Sequence, residues 1–139
     1  MSFKNILCFG TLNPDLIYFV DELPNKGDDI RSLKSSIRPG GTAINCSELI
    51  SLWDKSVHIR GNSIGSDPMG KYLVDYLKEN NINFDGLIIN QSLTPTCSIF
   101  VDSSGERTII SSGYEGLEWS NFENLNNFDS LIVDRYSIR

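Results

Sequence analysis

Two short stretches carry residues whose type and spacing suit the handling of a polyhydroxylated molecule. In the first, Thr11-Leu-Asn-Pro-Asp15, the Asp15 carboxylate can accept protons from two hydroxyl groups, and Asn13 stands two residues before it. In the second, Arg38-Pro-Gly-Gly-Thr-Ala-Ile-Asn45, a glycine pair precedes a run that continues as Cys-Ser-Glu-Leu-Ile-Ser-Leu-Trp. With Gly40 and Gly41 bare, a ligand oxygen can reach the main chain, and both positions can adopt dihedral angles closed to other residues. Asn45, one turn further on, offers an amide that both donates and accepts, as a sugar hydroxyl requires. Read as plain structure, the same letters give a tight turn before a helix and a solvated Asn45, and a lone glycine pair does not separate the two readings. The spacing is not Gly-x-Gly-x-x-Gly and does not follow the first core strand, which disfavours a dinucleotide-binding fold.

These groups act together only if the chain brings them to one rim. Asn5 to Gly10 is a short apolar run closed by glycine, the signature of a buried central strand. Leu16 to Val20 and Asp29 to Ile37 flank a Pro and Gly turn and predict an antiparallel pair. Ala43, Cys46, Ile50 and Trp53 recur at helical spacing and predict a helix over 42–53 with one face on a sheet. Val57 and Ile59 alternate as in a strand, and Pro68 opens a second helix with Tyr72, Leu73, Tyr76 and Leu77 on one side. Phe84 to Asn90 and Phe128 to Asp134 read as further strands, and Thr96 to Ser111 as a hairpin about Ser103-Ser-Gly105.

Alternating strands and helices imply a parallel sheet with helices on its faces. The two hairpin-like inserts do not fit inside such a sheet, so they are placed together as a small second sheet, a lid, over approximately 12–38 and 96–112. The Asn13 and Asp15 rim then lies just past the carboxyl end of the first strand, where open parallel sheets bind ligands and a helix start offers unpaired N–H groups. The stretch Ser112 to Asn121 has two glycines and little periodicity and reads as a surface loop.

The 139 residues suffice for one modest core and set one domain as the ceiling. Eighteen acidic against twelve basic residues leave a net charge of -6, and no basic run interrupts it, so nucleic acid and anionic membranes are poor partners. The opening apolar run is too short for a signal peptide, and no segment reaches membrane-spanning length, so a cytoplasmic address is expected. Cys8, Cys46 and Cys97 are widely spaced and odd in number, which predicts buried thiols and neither disulfide nor zinc site. His58 lies on a strand without a sequence-adjacent carboxylate and reads as structural. Asp67 reads as a helix cap, and Trp53 and Tyr72 as core residues.

Gly-Gly-Thr-Ala-Ile-Asn-Cys-Ser from Gly40, followed by Gly61-Asn-Ser-Ile-Gly65-Ser-Asp67-Pro-Met-Gly70, resembles the first signature region of the ribokinase-like, or PfkB, carbohydrate kinases. The opening Ile-Leu-Cys-Phe-Gly, the Asn13-x-Asp15 rim, the turn at Pro24 and the Ser-Ser-Gly-Glu-Arg-Thr-Ile-Ile hairpin fall in matching order along the whole chain. Several of these runs are most similar to the ketohexokinase branch. The resemblance implies a ribokinase-like α/β fold with a β-sheet lid that often mediates homodimerisation. It also implies transfer of the γ-phosphoryl group of ATP, with Mg2+, to a sugar hydroxyl. Carried over by position, Asp15, Gly41 and Asn45 hold the sugar, Asn13 and Gly40 support them, and Arg107 on the second hairpin reaches toward a phosphate or an anionic sugar group. The plain alternative for Arg107 is an exposed partner of Glu106 or Asp102.

Departures limit the inference. Thr42 stands where some relatives carry a substrate-touching Lys or Asn, and Asp54 replaces a common glycine. Tyr136 falls near the place of an acidic sugar ligand, for which Asp134 is the substitute. Fructose, a keto- or sulfo-sugar and a small sugar acid therefore all stay open. Members of this family run to roughly twice this length by ordinary domain sizes. Their second signature, Asp-Thr-x-Gly-Ala-Gly-Asp, which supplies the catalytic base and an anion hole, does not occur in the sequence. The expectation is an N-terminal half of a single sugar-kinase domain, truncated after a core strand, that binds sugar but cannot catalyse unaided. The alternative is a complete, non-catalytic sugar-binding or dimerising module.

Overall fold

The computed structural model describes residues 4–53, 56–135 and 137. In chain order the elements are β1 (Asn5–Gly10), β2 (Asn13–Phe19), β3 (Lys34–Gly40), α1 (Thr42–Ser51), β4 (Ser56–Gly61), β5 (Ile64–Gly65), α2 (Pro68–Glu79), β6 (Ile89–Asn90), β7 (Thr96–Val101), β8 (Arg107–Ser112), a 3-10 turn (Leu125–Asn127) and β9 (Ser130–Val133).

The apolar run of β1 is buried from Ile6 onward and forms the middle of an all-parallel sheet in the order β4-β1-β9. One face carries Ile6, Cys8, Val57 and Ile59, onto which the helices lay Ala43, Ile44, Ile50, Leu73 and Leu77. Leu73 and Leu77 are fully buried, each stabilising the fold by about 1.5–3 kcal/mol relative to an exposed position, so truncating either loosens α2. On the other face Phe9 stacks on Phe122 (centroids 4.3 Å apart) and Trp119 (6.0 Å). Asp67 caps α2 as expected, accepting hydrogen bonds from Gly70 N–H (2.8 Å), Thr94 N–H (2.8 Å) and Thr94 Oγ1–H (2.7 Å). Among the described residues no helix is long and apolar enough to cross a membrane.

The two inserts do join in one separate four-stranded sheet, in the order β3-β2-β7-β8. Its register aligns Arg38, Asp15, Cys97 and Ser111 in one row, then Ser36, Ile17, Ile99 and Ile109, then Lys34, Phe19, Val101 and Arg107. Side chains directly opposite share a face, so these rows form one side of the lid.

Several boundaries differ from the sequence reading, each for a local reason. The strand expected over 29–37 is β3 at Lys34–Gly40, because the ladder opens with Leu33 N–H to the Phe19 carbonyl and leaves Ile30 in an exposed loop. Strand β2 runs over Asn13–Phe19 where 16–20 was expected, so Asn13 and Asp15 lie on the strand itself at the lid's root. Only Ile89–Asn90 of the expected strand 84–90 pairs, with β5 in a small sheet of its own. Helix α1 stops at Ser51, where a turn from Trp53 N–H to the Ile50 carbonyl swings Trp53 out of the apolar stripe, leaving it 69% exposed. Trp53 is therefore not a core residue. Asp54 and Tyr136 lie outside the described residues.

Candidate functional site

Antiparallel pairing places Asn13 opposite Gly40 and Asp15 opposite Arg38. A Cβ on Gly40 would stand 2.5 Å from Asp15 Cγ and 2.7 Å from Asp15 Oδ1, so the carboxylate occupies the space that a side chain there would fill. Gly41, at φ +88° and ψ 155°, adopts a conformation that essentially only glycine reaches, and a Cβ there would lie 2.6 Å from the Thr11 carbonyl carbon. The bare corner thus packs against protein atoms, a correction to the idea that the deletions make room chiefly for a ligand. The helix start is likewise less open than expected. Thr42 N–H donates to Thr11 Oγ1 (3.1 Å) and Ala43 N–H to the Thr11 carbonyl (3.2 Å).

Asp15 is held from behind. Asn13, only 2% exposed, donates from Nδ2 to Asp15 Oδ1 at 2.7 Å, while Tyr114 Oη–H donates to Asn13 Oδ1 at 2.7 Å. Burial pushes the Asp15 carboxyl above its ordinary range, and the Asn13 hydrogen bond offsets part of that rise. Asp15 and Asn45 border two adjoining chambers of about 790 and 880 Å3, within the roughly 300–1,000 Å3 usual for small-molecule sites. Gly41 and Asn13 border the larger chamber, and Arg38, Tyr72 and Tyr76 the smaller.

Arg107 borders both chambers. It makes no ion pair with Glu106 or Asp102 among the described residues. The Asp102 carboxylate instead closes the lid-tip turn, accepting from Ser104 N–H (2.9 Å), Ser104 Oγ–H (2.6 Å) and Glu106 N–H (3.1 Å). Asn45 turns toward the same space, and among the described residues its amide has no protein partner. Asn13, Asp15, Gly41, Asn45 and Arg107 therefore meet at one cleft, with Gly40 as the seat of Asp15.

Asp134 does not join them. Its buried carboxylate accepts from Thr11 N–H (3.0 Å), Ser137 N–H (2.8 Å) and Ser137 Oγ–H (2.6 Å), and it lines neither chamber. His58 lies edge-on to Phe128 (centroids 5.0 Å apart), which fits a structural role. Tyr72 packs beside the core yet also sends its hydroxyl to the Ile37 carbonyl (3.3 Å), on the cleft wall. Sequence reasoning missed three residues. Thr11 ties β1 to α1. Asn62, fully buried, accepts from Leu12 N–H (2.7 Å) and donates to the Leu12 carbonyl (3.0 Å), fixing the turn that leads into Asn13. Tyr114 lies in the stretch read as a surface loop, and its only signal was an aromatic residue between two glycines.

An α/β core with a β-sheet lid over a polar cleft defines the class. The structure superposes on that of a ribokinase from Cryptococcus neoformans in complex with ADP with a TM-score of 0.70, at 21% identity over 94% of this chain and 40% of that one, so the fold is ribokinase-like. Residues 4–137 match the pfkB family carbohydrate kinases, and the chain belongs to that family. It is 29% identical over 108 residues to a ribokinase of Dictyostelium discoideum (77% of this chain, 34% of the relative). It is 31% identical over 112 residues to a mouse (Mus musculus) ketohexokinase (79% and 37%). The matched stretch covers only about a third of each of these curated relatives, whose own length is roughly twice that of this chain, as expected.

Proposed function

We propose that this chain supplies the acceptor-sugar cradle and lid of a kinase that transfers the γ-phosphoryl group of ATP to a sugar hydroxyl. One observation carries the reading: the Asp15 carboxylate, seated over Gly40 and held by Asn13, borders a cleft shared with Gly41, Asn45 and Arg107. Asp15 accepts from sugar hydroxyls, Asn45 donates and accepts, and Arg107 covers the bound molecule from the lid. Phosphoryl transfer demands mainly alignment of the acceptor and neutralisation of charge. The acceptor oxygen attacks the γ-phosphorus, the bond to the bridging oxygen breaks, ADP leaves, and the acceptor's proton passes to a base. We assign that base to none of the described residues. ATP with Mg2+ is the donor pair we propose, a reading that membership of a carbohydrate kinase family supports. Among the described residues no group of three His, Cys, Asp or Glu could hold a metal ion.

A second copy of the chain is the proposed partner. The far face of the lid aligns Ile37, Leu16, Ser98 and Ile110, beside a Tyr18–Phe100 stack (5.4 Å), with Ile37 49% and Ile110 54% exposed. A homodimer through this face covers that apolar surface. Sedimentation should then show a dimer that Ile110→Lys dissociates; a monomer at every concentration rejects the interface.

The sugar reading is tested by titrating the isotopically labelled chain with ribose and with fructose. Shifts concentrated at Asp15, Gly41 and Asn45 are expected with at least one of them. Saturation without shifts there would sink the proposal.

A further inference from the structure

We infer that Tyr114 is a positioning residue of the sugar cradle: its hydroxyl fixes the Asn13 amide so that Nδ2 faces Asp15 and holds the carboxylate toward the cleft. The inference rests on the reading of Asp15 as a sugar ligand but is decided by a separate measurement.

The polarity of the chain of contacts follows from Asp15. An ionised carboxylate only accepts, so the Asn13 group 2.7 Å from it must be the NH2, and Oδ1 must point the other way. There it meets the Tyr114 hydroxyl at 2.7 Å, which must then donate. Behind the phenol lies Cys97, whose Sγ is 3.7 Å from Tyr114 Oη and 3.4 Å from Ser111 Oγ. Burial first, and Cys97 next, push the Tyr114 phenol well above its ordinary value, so it stays protonated and remains a donor.

Asn13 is buried, and a flipped amide would set Oδ1 against the carboxylate oxygen at direct contact distance. The Asp15 carboxylate and the Pro14 carbonyl (3.3 Å) favour this orientation from the Nδ2 side, and the tyrosine hydroxyl fixes the amide from its Oδ1 end. The placement also joins distant parts of the lid. Asn13 opens β2, while Tyr114 follows β8 through Gly113 (φ +78°), so one hydrogen bond across 101 positions ties the end of the second hairpin to the root of the first.

The test uses the full chain and Tyr114→Phe, which keeps the ring and removes the donor. Carbon-detected NMR follows the titration of the Asp15 carboxyl with pH. In Tyr114→Phe the midpoint should move further up, because Asp15 loses its ordered donor, and ribose or fructose binding should weaken roughly tenfold. In an Asn13→Ala background the same substitution should move the midpoint no further, which a merely structural tyrosine would not reproduce. In the unsubstituted chain the Asn13 side-chain amide protons should exchange slowly with solvent, a reading independent of how any variant folds. An unchanged Asp15 midpoint in Tyr114→Phe, a shift that persists without Asn13, or freely exchanging Asn13 protons would each overturn the inference. A shifted midpoint with unaltered sugar binding would uphold Tyr114 as the positioning group while removing the sugar from the cleft.

Discussion

Replacing Gly40 by alanine isolates the contact on which the cradle depends. The added methyl would sit 2.5 Å from Asp15 Cγ, whereas carbon atoms rest at about 3.5–4.0 Å, so the carboxylate must retreat by roughly 1 Å or more. Gly40 is not among the glycines with positive φ, so alanine meets no backbone penalty and the effect is steric. The displaced group is a short side chain in a 2.7 Å hydrogen bond with buried Asn13. Loss of one hydrogen bond to a charged group costs about 1.5–3 kcal/mol, equivalent to roughly ten- to hundredfold weaker sugar binding. Overpacking should lower stability by about 1–3 kcal/mol. Gly105→Ala at the lid tip is the control: its φ of +85° brings strain, but nothing lies within 4 Å of the new methyl, so stability falls while sugar binding stays as it was. Calorimetric titration with sugar beside thermal unfolding reads both quantities. Gly40→Ala binding sugar as tightly as the parent would refute the placement of Asp15.

Two further outcomes follow from the electrostatics. Burial raises the Asp15 carboxyl, so the folded chain holds that proton more tightly than the unfolded chain, and stability falls as pH rises through the raised value. Asp15→Asn should therefore keep or raise the neutral-pH melting temperature while removing sugar binding, and wild-type binding should weaken as pH drops through the raised midpoint; a binding curve flat across that range argues against Asp15 as the acceptor. Arg107→Gln should weaken binding of an anionic sugar by about tenfold and of a neutral one less, because a charge-assisted contact is lost; equal binding of both by variant and parent retires that contact.

Much of the core was legible because periodicity reports burial. The closed apolar run of β1 and the stripe holding Leu73 and Leu77 stand where spacing put them. The lid was legible as two inserts, since a turn between alternating runs has few other uses. Its edges were not: β3 is charged, mostly exposed and contains Pro39, which an edge strand tolerates, so its start is set by pairing with β2 and not by hydropathy. Trp53 misled because a side chain two positions beyond the end of α1 leaves the stripe that spacing projects. At the site, Asp15, Asn45 and the glycine pair could be read from their chemistry. Thr11, Asn62 and Tyr114 could not, because each acts through contacts between residues 31 to 101 positions apart, and no local pattern encodes those.

The most direct measurement is a crystal structure of the chain grown with saturating ribose or fructose. The account predicts a sugar with hydroxyl oxygens at about 2.6–3.0 Å from the Asp15 carboxylate and its ring beside Gly41 and Asn45. A sugar bound elsewhere on the molecule, with Asp15 turned away from the cleft, would contradict it.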